Sequence, residues 1–294
     1  MHALSPALLL VIAIMFGSAM DATIKYLTLT NAVLIVLLGR YLFGALFSLG
    51  VYARSGRPAI SGEMWRAHVL RGFVLTATGS TFFWALTVLP LAEAVAISFI
   101  YPLLVPFVGA LVLGERVRPS SLIAASIGFA GVIVAAQGAP SVAENPLYAW
   151  GVVSVLVSAT LFALAMVLLR ERAQKDGAVI VSLMSSLMPA LIVAAPAIAF
   201  SPPPHWADWP VFLLLGALAA GFMYLLAAAY ARAEAQQLAP IHYTELVWAS
   251  VLGYIIFHET PRPSIYAGAA LIIAACLYIA YDERRLTRIK KDTP

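Results

Sequence analysis

Charged side chains are scarce in this chain of 294 residues. Lys and Arg number 18 and Asp and Glu 14, together 11% of the sequence, while hydrophobic residues make up 62%. A soluble domain carries about 25% charged residues. Folding in water would therefore leave a large apolar surface exposed, and the composition predicts an integral membrane protein.

Cysteine and the motifs of soluble enzymes are also lacking. Cys276 is the single cysteine and lies in an apolar run, so the chain has no internal disulfide framework and no metal site built on thiolates. The sequence holds no Walker loop and no histidine pair at metal spacing. These absences exclude ATP-driven transport within this chain and predict a protein that is not an enzyme and has no metal or cofactor.

What the chain has instead is ten apolar stretches of membrane-crossing length, for which about 20 residues are needed. No basic region precedes the first stretch, so we predict a first span rather than a signal peptide. Short breaks with turn residues separate the spans and leave no room for a soluble domain. The predicted spans are residues 5–27, 32–53, 68–89, 91–113, 120–137, 147–169, 179–200, 209–231, 237–257 and 264–281.

The basic residues indicate the orientation of these spans. With ten spans both termini lie on one side, and fifteen of the 18 Lys and Arg residues are assigned to that side. Lys25 and Arg262 fall on the other side, and Arg40 lies inside a span. Cytoplasmic segments are enriched in Lys and Arg, so we predict cytoplasmic termini in a bacterial-type inner membrane. The net charge of +4 is then a topology signal, with a tail that contacts membrane lipid rather than nucleic acid.

The two halves of the chain resemble each other. An E-x-x-R-P-S ending closes the fourth span at Glu115 and the ninth at Glu259, 144 positions later, and the same offset pairs Gly72 with Gly216. Because each half holds an odd number of spans, the halves must be inverted, as in many secondary transporters. The predicted fold is all-α, with ten transmembrane helices in two inverted five-helix repeats, residues 1–138 and 139–294, around a central cavity.

These features resemble the drug/metabolite transporter superfamily and, within it, the EamA-type exporters. The resemblance rests on the glutamates that close the fourth and ninth spans, on Arg40 and on the stretch from Phe83 to Pro106, FWALTVLPLAEAVAISFIYPLLVP. It implies export of small organic metabolites by alternating access and does not fix the substrate, for which aromatic and other neutral amino acids, exported by one branch of the family, are the first candidates. A proton-coupled exporter of cationic drugs is the alternative, and a channel or an intramembrane enzyme ranks lower.

The ninth span carries ionisable residues near its middle. Glu245 lies roughly 12 Å into the span at 1.5 Å per residue. His242 and Trp248, three residues before and after it, share its side of a helix. Charged groups at this depth usually face a cavity or a partner. We predict that the three residues bind a substrate ammonium group or a proton, with a structural hydrogen bond to a neighbouring helix as the alternative.

The twin positions in the fourth span carry a hydroxyl and an aromatic ring. Ser98 and Tyr101 are predicted to face the Glu245 cluster across the cavity and to bind substrate with it. Pro102 follows Tyr101, and Pro240 precedes the ionisable cluster. Each proline removes a helical hydrogen bond and is expected to bend its helix.

Two further groups complete the predicted site. Asp21 and Arg40 enter the membrane from the same side at similar depth, which predicts a structural charge pair, with direct substrate contact as the alternative. Aromatic rings and hydroxyls suit an aromatic solute, although such rings also fill membrane cores. The residues predicted to line the cavity in this way are Ser80, Phe83, Trp84 and Tyr224.

Small residues predict where helices approach each other closely. Gly128, Gly131 and Gly268 lie in the fifth and tenth spans, where glycine allows backbone contact. Packing within one chain is the default expectation, and a homodimer contact is the alternative.

Overall fold

A computed structural model of the chain describes residues 6–114, 117, 119–135, 137, 145–230 and 241–292. All regular structure in these residues is helical, which confirms the all-α class. A 3-10 turn, Trp206–Asp208, precedes the eighth helix. The α-helices are α1 Pro6–Thr28, α2 Val33–Arg54, α3 Gly62–Val88, α4 Leu91–Ser98, α5 Tyr101–Leu113, α6 Pro119–Ala135, α7 Tyr148–Phe200, α8 Trp209–Tyr230, α9 Glu245–Phe257 and α10 Pro263–Asp292.

The described helices account for several membrane crossings. Six segments are long and apolar enough to cross a bilayer, and α4 with α5 forms a seventh candidate that is bent by 41°. Three further apolar helices are shorter, namely Pro119–Ala135, Glu245–Phe257 and Pro263–Tyr278. The chain is thus a multi-pass helical protein, whereas ten complete crossings stay a prediction.

α7 contains the predicted sixth and seventh spans. They correspond to Tyr148–Leu169 and Val179–Phe200. Between them Gly177 has a φ of 77° and a ψ of 158°. Glycine reaches a positive φ without the steric cost of a Cβ. The break predicted between spans 147–169 and 179–200 is therefore confirmed at this glycine.

The predicted fourth span, residues 91–113, is not one continuous helix. α4 ends at Ser98, α5 begins at Tyr101, and two residues in a turn separate them. Pro102 lies in the first turn of α5, where its missing N–H is tolerated. Because it cannot donate to the carbonyl of Ser98, a single helix cannot continue through this point without losing a hydrogen bond. The bend predicted from Pro102 is confirmed, and it is a complete break.

A matching break precedes α9. Residues 241–242 are helical, residues 243–244 form a turn, and α9 begins at Glu245. This turn lies 144 positions after the turn that separates α4 from α5. Pro240 lies outside the described residues. Two helix breaks therefore occur at the offset that relates the halves of the sequence.

The helices after both breaks also end alike. α5 and α9 are each 13 residues long. Gly114 ends α5 in the left-handed region with a φ of 69°, and His258 ends α9 there with a φ of 56°. A left-handed residue is a frequent helix terminator because the next N–H groups can then reach the last carbonyls. The two termini are again 144 positions apart.

Glycines set the closest helix contacts. A Cβ on Gly268 of α10 would lie 2.4 Å from the carbonyl oxygen of Gly131 in α6, so the two backbones touch. The predicted close approach of these two glycines is confirmed within a single chain, while Gly128 packs against the Leu103 side chain.

A second glycine contact recurs between the halves. Gly72 packs against Met188, and Gly216 packs against Phe43. Gly216 lies 144 positions after Gly72, and Met188 lies 145 after Phe43. The same kind of helix contact therefore occurs at equivalent places of the two halves.

The core is centred on α4. Every residue of α4 from Leu91 to Ile97 is buried, including the charged Glu93. Around it pack α1, α3, α6, α7, α9 and α10. The short helix that leads into the first break is thus enclosed by both halves of the chain.

Candidate functional site

The two helix breaks meet inside the protein. The ring of Phe99, between α4 and α5, packs edge-on against the ring of Tyr243, in the turn before α9, with centroids 5.5 Å apart and planes at 84°. The carbonyl of Phe99 accepts a hydrogen bond from the Cys276 thiol at 3.8 Å. Interrupted helices leave carbonyls and N–H groups free of helical partners, which membrane proteins tolerate only inside the protein or beside a cavity.

Carboxylates and a guanidinium lie near this junction. Glu245 is the first residue of α9 and is half-buried, while Asp21 of α1 is 8% exposed. Asp21 interacts electrostatically with both Glu245 and Arg40. The Arg40 guanidinium stacks on the Tyr41 ring, 4.5 Å from its centroid, and its buried Nε has no hydrogen-bond partner. Asp21 is therefore within electrostatic range of both Glu245 and Arg40.

Asp21 and Arg40 are the two residues of the predicted structural charge pair. Their interaction is electrostatic, and among the described residues no salt bridge of 4.0 Å or less joins them. A direct pair stays a prediction.

The helix break changes the geometry predicted for the ionisable cluster. It falls between His242 and Glu245, so helical spacing no longer places the two side chains on one face. His242 is half-buried in the helical turn ahead of the break. Trp248, in the first turn of α9, packs against an apolar cluster that includes Leu9 and Ile14 of α1.

The twin residues of the first half have defined partners. The Tyr101 ring packs edge-on against Phe162 of α7, with centroids 4.9 Å apart. The Ser98 hydroxyl donates to the Val95 carbonyl at 2.8 Å within its own helix. The structure thus positions the Tyr101 ring at the start of α5, as Glu245 is positioned at the start of α9.

The other four residues predicted to line the cavity lie in different surroundings. Phe83 is 4% exposed and belongs to the hydrophobic core. Ser80 donates to the Thr76 carbonyl at 2.8 Å, and Trp84 is half-buried. Tyr224 is 49% exposed. Phe83 therefore lines no open surface in this conformation, and a role for these four residues in binding stays a prediction.

An ion-pair network at one end of the helices was not predicted. Lys25 of α1 forms a salt bridge with Glu259 at 2.5 Å and donates to the Leu89 carbonyl at 2.6 Å. The second carboxylate oxygen of Glu259 accepts the N–H of Leu91 at 2.8 Å. A carboxylate at a helix N-terminus satisfies a free N–H and interacts favourably with the helix dipole. Glu259 therefore fastens α1 to the start of α4.

A second pair lies in the same network. Arg262 donates to both carboxylate oxygens of Glu93, from Nε at 3.1 Å and from NH2 at 3.0 Å, and NH2 also donates to the Tyr148 hydroxyl. Burial lowers the pKa of Arg262, but hydrogen bonding and attraction to Glu93 outweigh it, so the pKa lies above its ordinary value. Bidentate pairing of this kind is the strong form of an Arg–carboxylate contact.

Polar contacts between α3 and α7 were also missed. His68 Nε2 lies 2.9 Å from the Asp176 carboxylate, with both side chains buried. Arg71 donates to the Ser185 hydroxyl at 2.7 Å and is 4% exposed. The buried position of Arg71, inside α3 and against α7, was not predicted. Its position within the predicted span 68–89 was the signal that could have revealed this.

These observations define a class of protein, a polytopic helical membrane protein with interrupted helices and charged groups in its interior. The model of the EamA-like transporter family matches this chain twice, over residues 4–137 and 149–281. The chain belongs to the EamA-like transporter family. Among the described residues no group of three or more His, Cys, Asp or Glu is arranged as a metal site.

Named relatives of the chain are transporters of small molecules. The chain is 24% identical over 283 residues to the S-adenosylmethionine uptake transporter of Rickettsia prowazekii, covering 96% of this chain and 94% of that protein. It is 30% identical over 253 residues to the riboflavin transporter of Rhizobium johnstonii, covering 85% and 81%. A solved crystal structure with a TM-score of 0.65 at 21% identity, covering 96% and 98%, shares the fold.

Proposed function

We propose that this chain is a secondary carrier that moves small organic metabolites by alternating access of two inverted halves, residues 1–138 and 139–294. The observation that carries the proposal is the contact between the two helix breaks at Phe99 and Tyr243. Secondary carriers bind substrate near the midplane, at interrupted helices where their repeats meet. The equivalent helix termini at Gly114 and His258 support the repeat.

The substrate class follows from the residues beside this contact. Asp21 and Glu245, two neighbouring carboxyl groups, offer oxygen acceptors to an ammonium group, and Tyr101 offers an aromatic face. We therefore propose amino acids or metabolites that contain an amino-acid group, with aromatic or neutral amino acids as the first candidates. S-adenosylmethionine, named for a relative, contains such a group, so it belongs to the same class.

The proposed direction is export, as the resemblance implied, although one relative is named an uptake transporter. An alternating-access carrier shifts between two states, and a substrate biases the equilibrium only through its difference in affinity for them. Net direction is then set by the gradients, and the same site serves both directions. Counterflow, in which labelled and unlabelled substrate exchange, tests the site without assuming a direction.

The ion pairs of Lys25 and Arg262 support a conformation closed at one end. They join α1, α4, α7 and the segment between α9 and α10 at the side predicted to be periplasmic. Opening that side requires these ion pairs to separate. The free energy needed to separate them helps to hold that side closed. We propose this network as the periplasmic gate, in an inner-membrane protein whose termini are cytoplasmic and which acts as a monomer or homodimer.

Counterflow in proteoliposomes tests the function. Purified protein is reconstituted and assayed with L-phenylalanine, S-adenosylmethionine, riboflavin and a cationic dye, with and without a pH gradient. The proposal expects saturable exchange of at least one amino-acid compound. Exchange of the dye alone, driven by the pH gradient, would replace it with a drug exporter. No saturable exchange of any compound contradicts it.

Glu245→Gln is the first variant to test in this assay. It removes an ionisable carboxyl group beside the junction and keeps the side-chain size. Because hydrogen bonds to charged groups contribute about 1.5–3 kcal/mol, we expect exchange to fall roughly tenfold or more. The matched control is Glu63→Gln, since Glu63 is 72% exposed at the start of α3 and is expected to retain full exchange. Equal rates in both variants would remove Glu245 from the site.

A further inference from the structure

Arg71 is a buried cation whose only direct partner in the described part of the chain is neutral. It is 4% exposed in α3, and one of its terminal nitrogens donates to the Ser185 hydroxyl at 2.7 Å. Its Nε is buried and makes no hydrogen bond. A guanidinium has five N–H donors and no acceptor. Most of its capacity to bind an anion is therefore unused.

A buried carboxylate between α3 and α7 is already occupied by another partner. Asp176, which lies on α7 as Ser185 does, contacts His68, one turn before Arg71 on α3. No salt bridge of 4.0 Å or less joins Arg71 to an acidic residue among the described residues. Buried charges in membrane proteins are normally paired or face a substrate pathway. An unpaired buried arginine therefore points to an anion supplied from outside the chain.

A second cation with a free donor lies nearby on α2. Arg40 stacks on Tyr41, and its Nε is also buried without a hydrogen bond. Tyr41 donates its hydroxyl to the Leu75 carbonyl of α3 at 2.9 Å and interacts electrostatically with both arginines. The side of the interior formed by α2 and α3 consequently carries two guanidinium groups, while Asp21 and Glu245 place two neighbouring carboxyl groups on the side formed by α1 and α9.

We propose that Arg71, together with Arg40, binds the carboxylate of a zwitterionic substrate whose ammonium group is held by Asp21 and Glu245. This rests on the proposed function and assigns the residues that would hold each end of an amino-acid group. A carboxylate replaces the Ser185 hydroxyl as acceptor, because charged acceptors give shorter and stronger hydrogen bonds to a guanidinium. Because Asp21 interacts with Arg40 and offsets part of its positive charge, the two arginines match the single charge of a carboxylate better than the double charge of a phosphate.

Acid and amide pairs test the inference on the full-length wild type. L-phenylalanine is compared with L-phenylalaninamide, and S-adenosylmethionine with its decarboxylated form, each as a competitor in counterflow and as a stabiliser in thermal unfolding of purified protein. We expect the acid of at least one pair to compete about tenfold better than its partner and to give the larger rise in Tm. Equal effects of acid and partner in both pairs, including no effect, overturn the inference.

Variants of Arg71 then separate binding from a structural role. In Arg71→Gln the preference for the acid should disappear while the amide is still transported, and Arg71→Lys should keep part of the preference. Arg66→Gln, an exposed arginine on the same helix, should retain the full preference. Equal losses for acid and amide in Arg71→Gln indicate a structural role and overturn the proposal. If Arg71→Gln does not fold, Arg71→Lys and the wild-type Tm comparison decide.

The outcomes distinguish this inference from the function on which it rests. A wild type that exchanges riboflavin as well as the acids, with no dependence on the carboxylate, keeps the carrier and rejects the zwitterion site. A wild type that exchanges nothing rejects the carrier. A preference for a phosphate ester over its matched carboxylate also overturns the proposal, because it assigns the arginines to a different anion.

Discussion

The break between α4 and α5 and the break before α9 share their geometry but differ in the residue that follows. Each is a two-residue turn, and each is succeeded by a helix of 13 residues that ends in a left-handed residue. The first of those helices begins with Tyr101, which packs on a ring of α7. The second begins with Glu245, which interacts with the Asp21 carboxylate.

The difference indicates how a duplicated fold acquires a polar site. Backbone turns and glycine contacts are retained at the 144-residue offset, because they determine how the helices pack. The residue after the break is half-buried at both positions, and its identity differs between the halves. Substituting a carboxylate on one side alone produces charge asymmetry in a symmetric frame, and the comparison can be tested at several equivalent positions.

The largest stability effect is expected where the halves are joined by charge. Lys25→Met leaves Glu259 without its cation, although its carboxylate still caps α4. Removing one partner of a buried pair costs about 3 kcal/mol or more. We expect a clear fall in Tm and easier opening of the predicted periplasmic side, measured by cysteine labelling near Leu89.

Arg172→Met is the control for that prediction. Arg172 pairs with Glu63, whose side chain is 72% exposed, across α3 and α7. Exposed pairs contribute about 0–1 kcal/mol, so little change is expected. Reversing both charges, in Lys25→Glu with Glu259→Lys, should recover only part of the loss, since a lysine cannot accept the Leu91 N–H. Equal Tm values for Lys25→Met and Arg172→Met would contradict the assigned importance of the network.

Features with a local chemical cause were predictable from the sequence. The break at Gly177 follows from a turn signal, and the break after Ser98 follows from Pro102, because both depend on the backbone freedom of one or two residues. The assignment of Lys25 and Arg262 to one side agrees with their common network.

Features that depend on distant partners were not predictable. Glu93 and Arg262 are 169 positions apart, and His68 and Asp176 are 108 apart, so neither pair leaves a periodic signal. The single-helix reading of the ninth span also placed His242 and Glu245 on one face, whereas the break lies between them. Helical spacing gives faces only within an unbroken helix.

A smaller effect is expected at the contact between the breaks. The edge-on pair of Phe99 and Tyr243 contributes about 0.5–1.5 kcal/mol beyond burial. Phe99→Leu and Tyr243→Leu should each lower Tm, and the double variant should lose less than the sum because the two rings share one interaction. Thermal unfolding of the four proteins gives the coupling energy. Fully additive losses would mean that the two rings act independently and that other contacts hold the two breaks together.

The smallest effect is expected at the two left-handed helix ends, and it should differ in sign. Gly114 has a φ of 69° with no atom near a built Cβ, so Gly114→Ala should lose about 1 kcal/mol from backbone strain alone. His258 already bears a Cβ at a φ of 56° and its side chain is exposed, so His258→Gly relieves strain but adds unfolded-state entropy. We expect His258→Gly to raise the free energy of unfolding slightly, by no more than about 0.5 kcal/mol. Matched losses at both positions would indicate that the His258 side chain stabilises α9 in a way that its twin does not require.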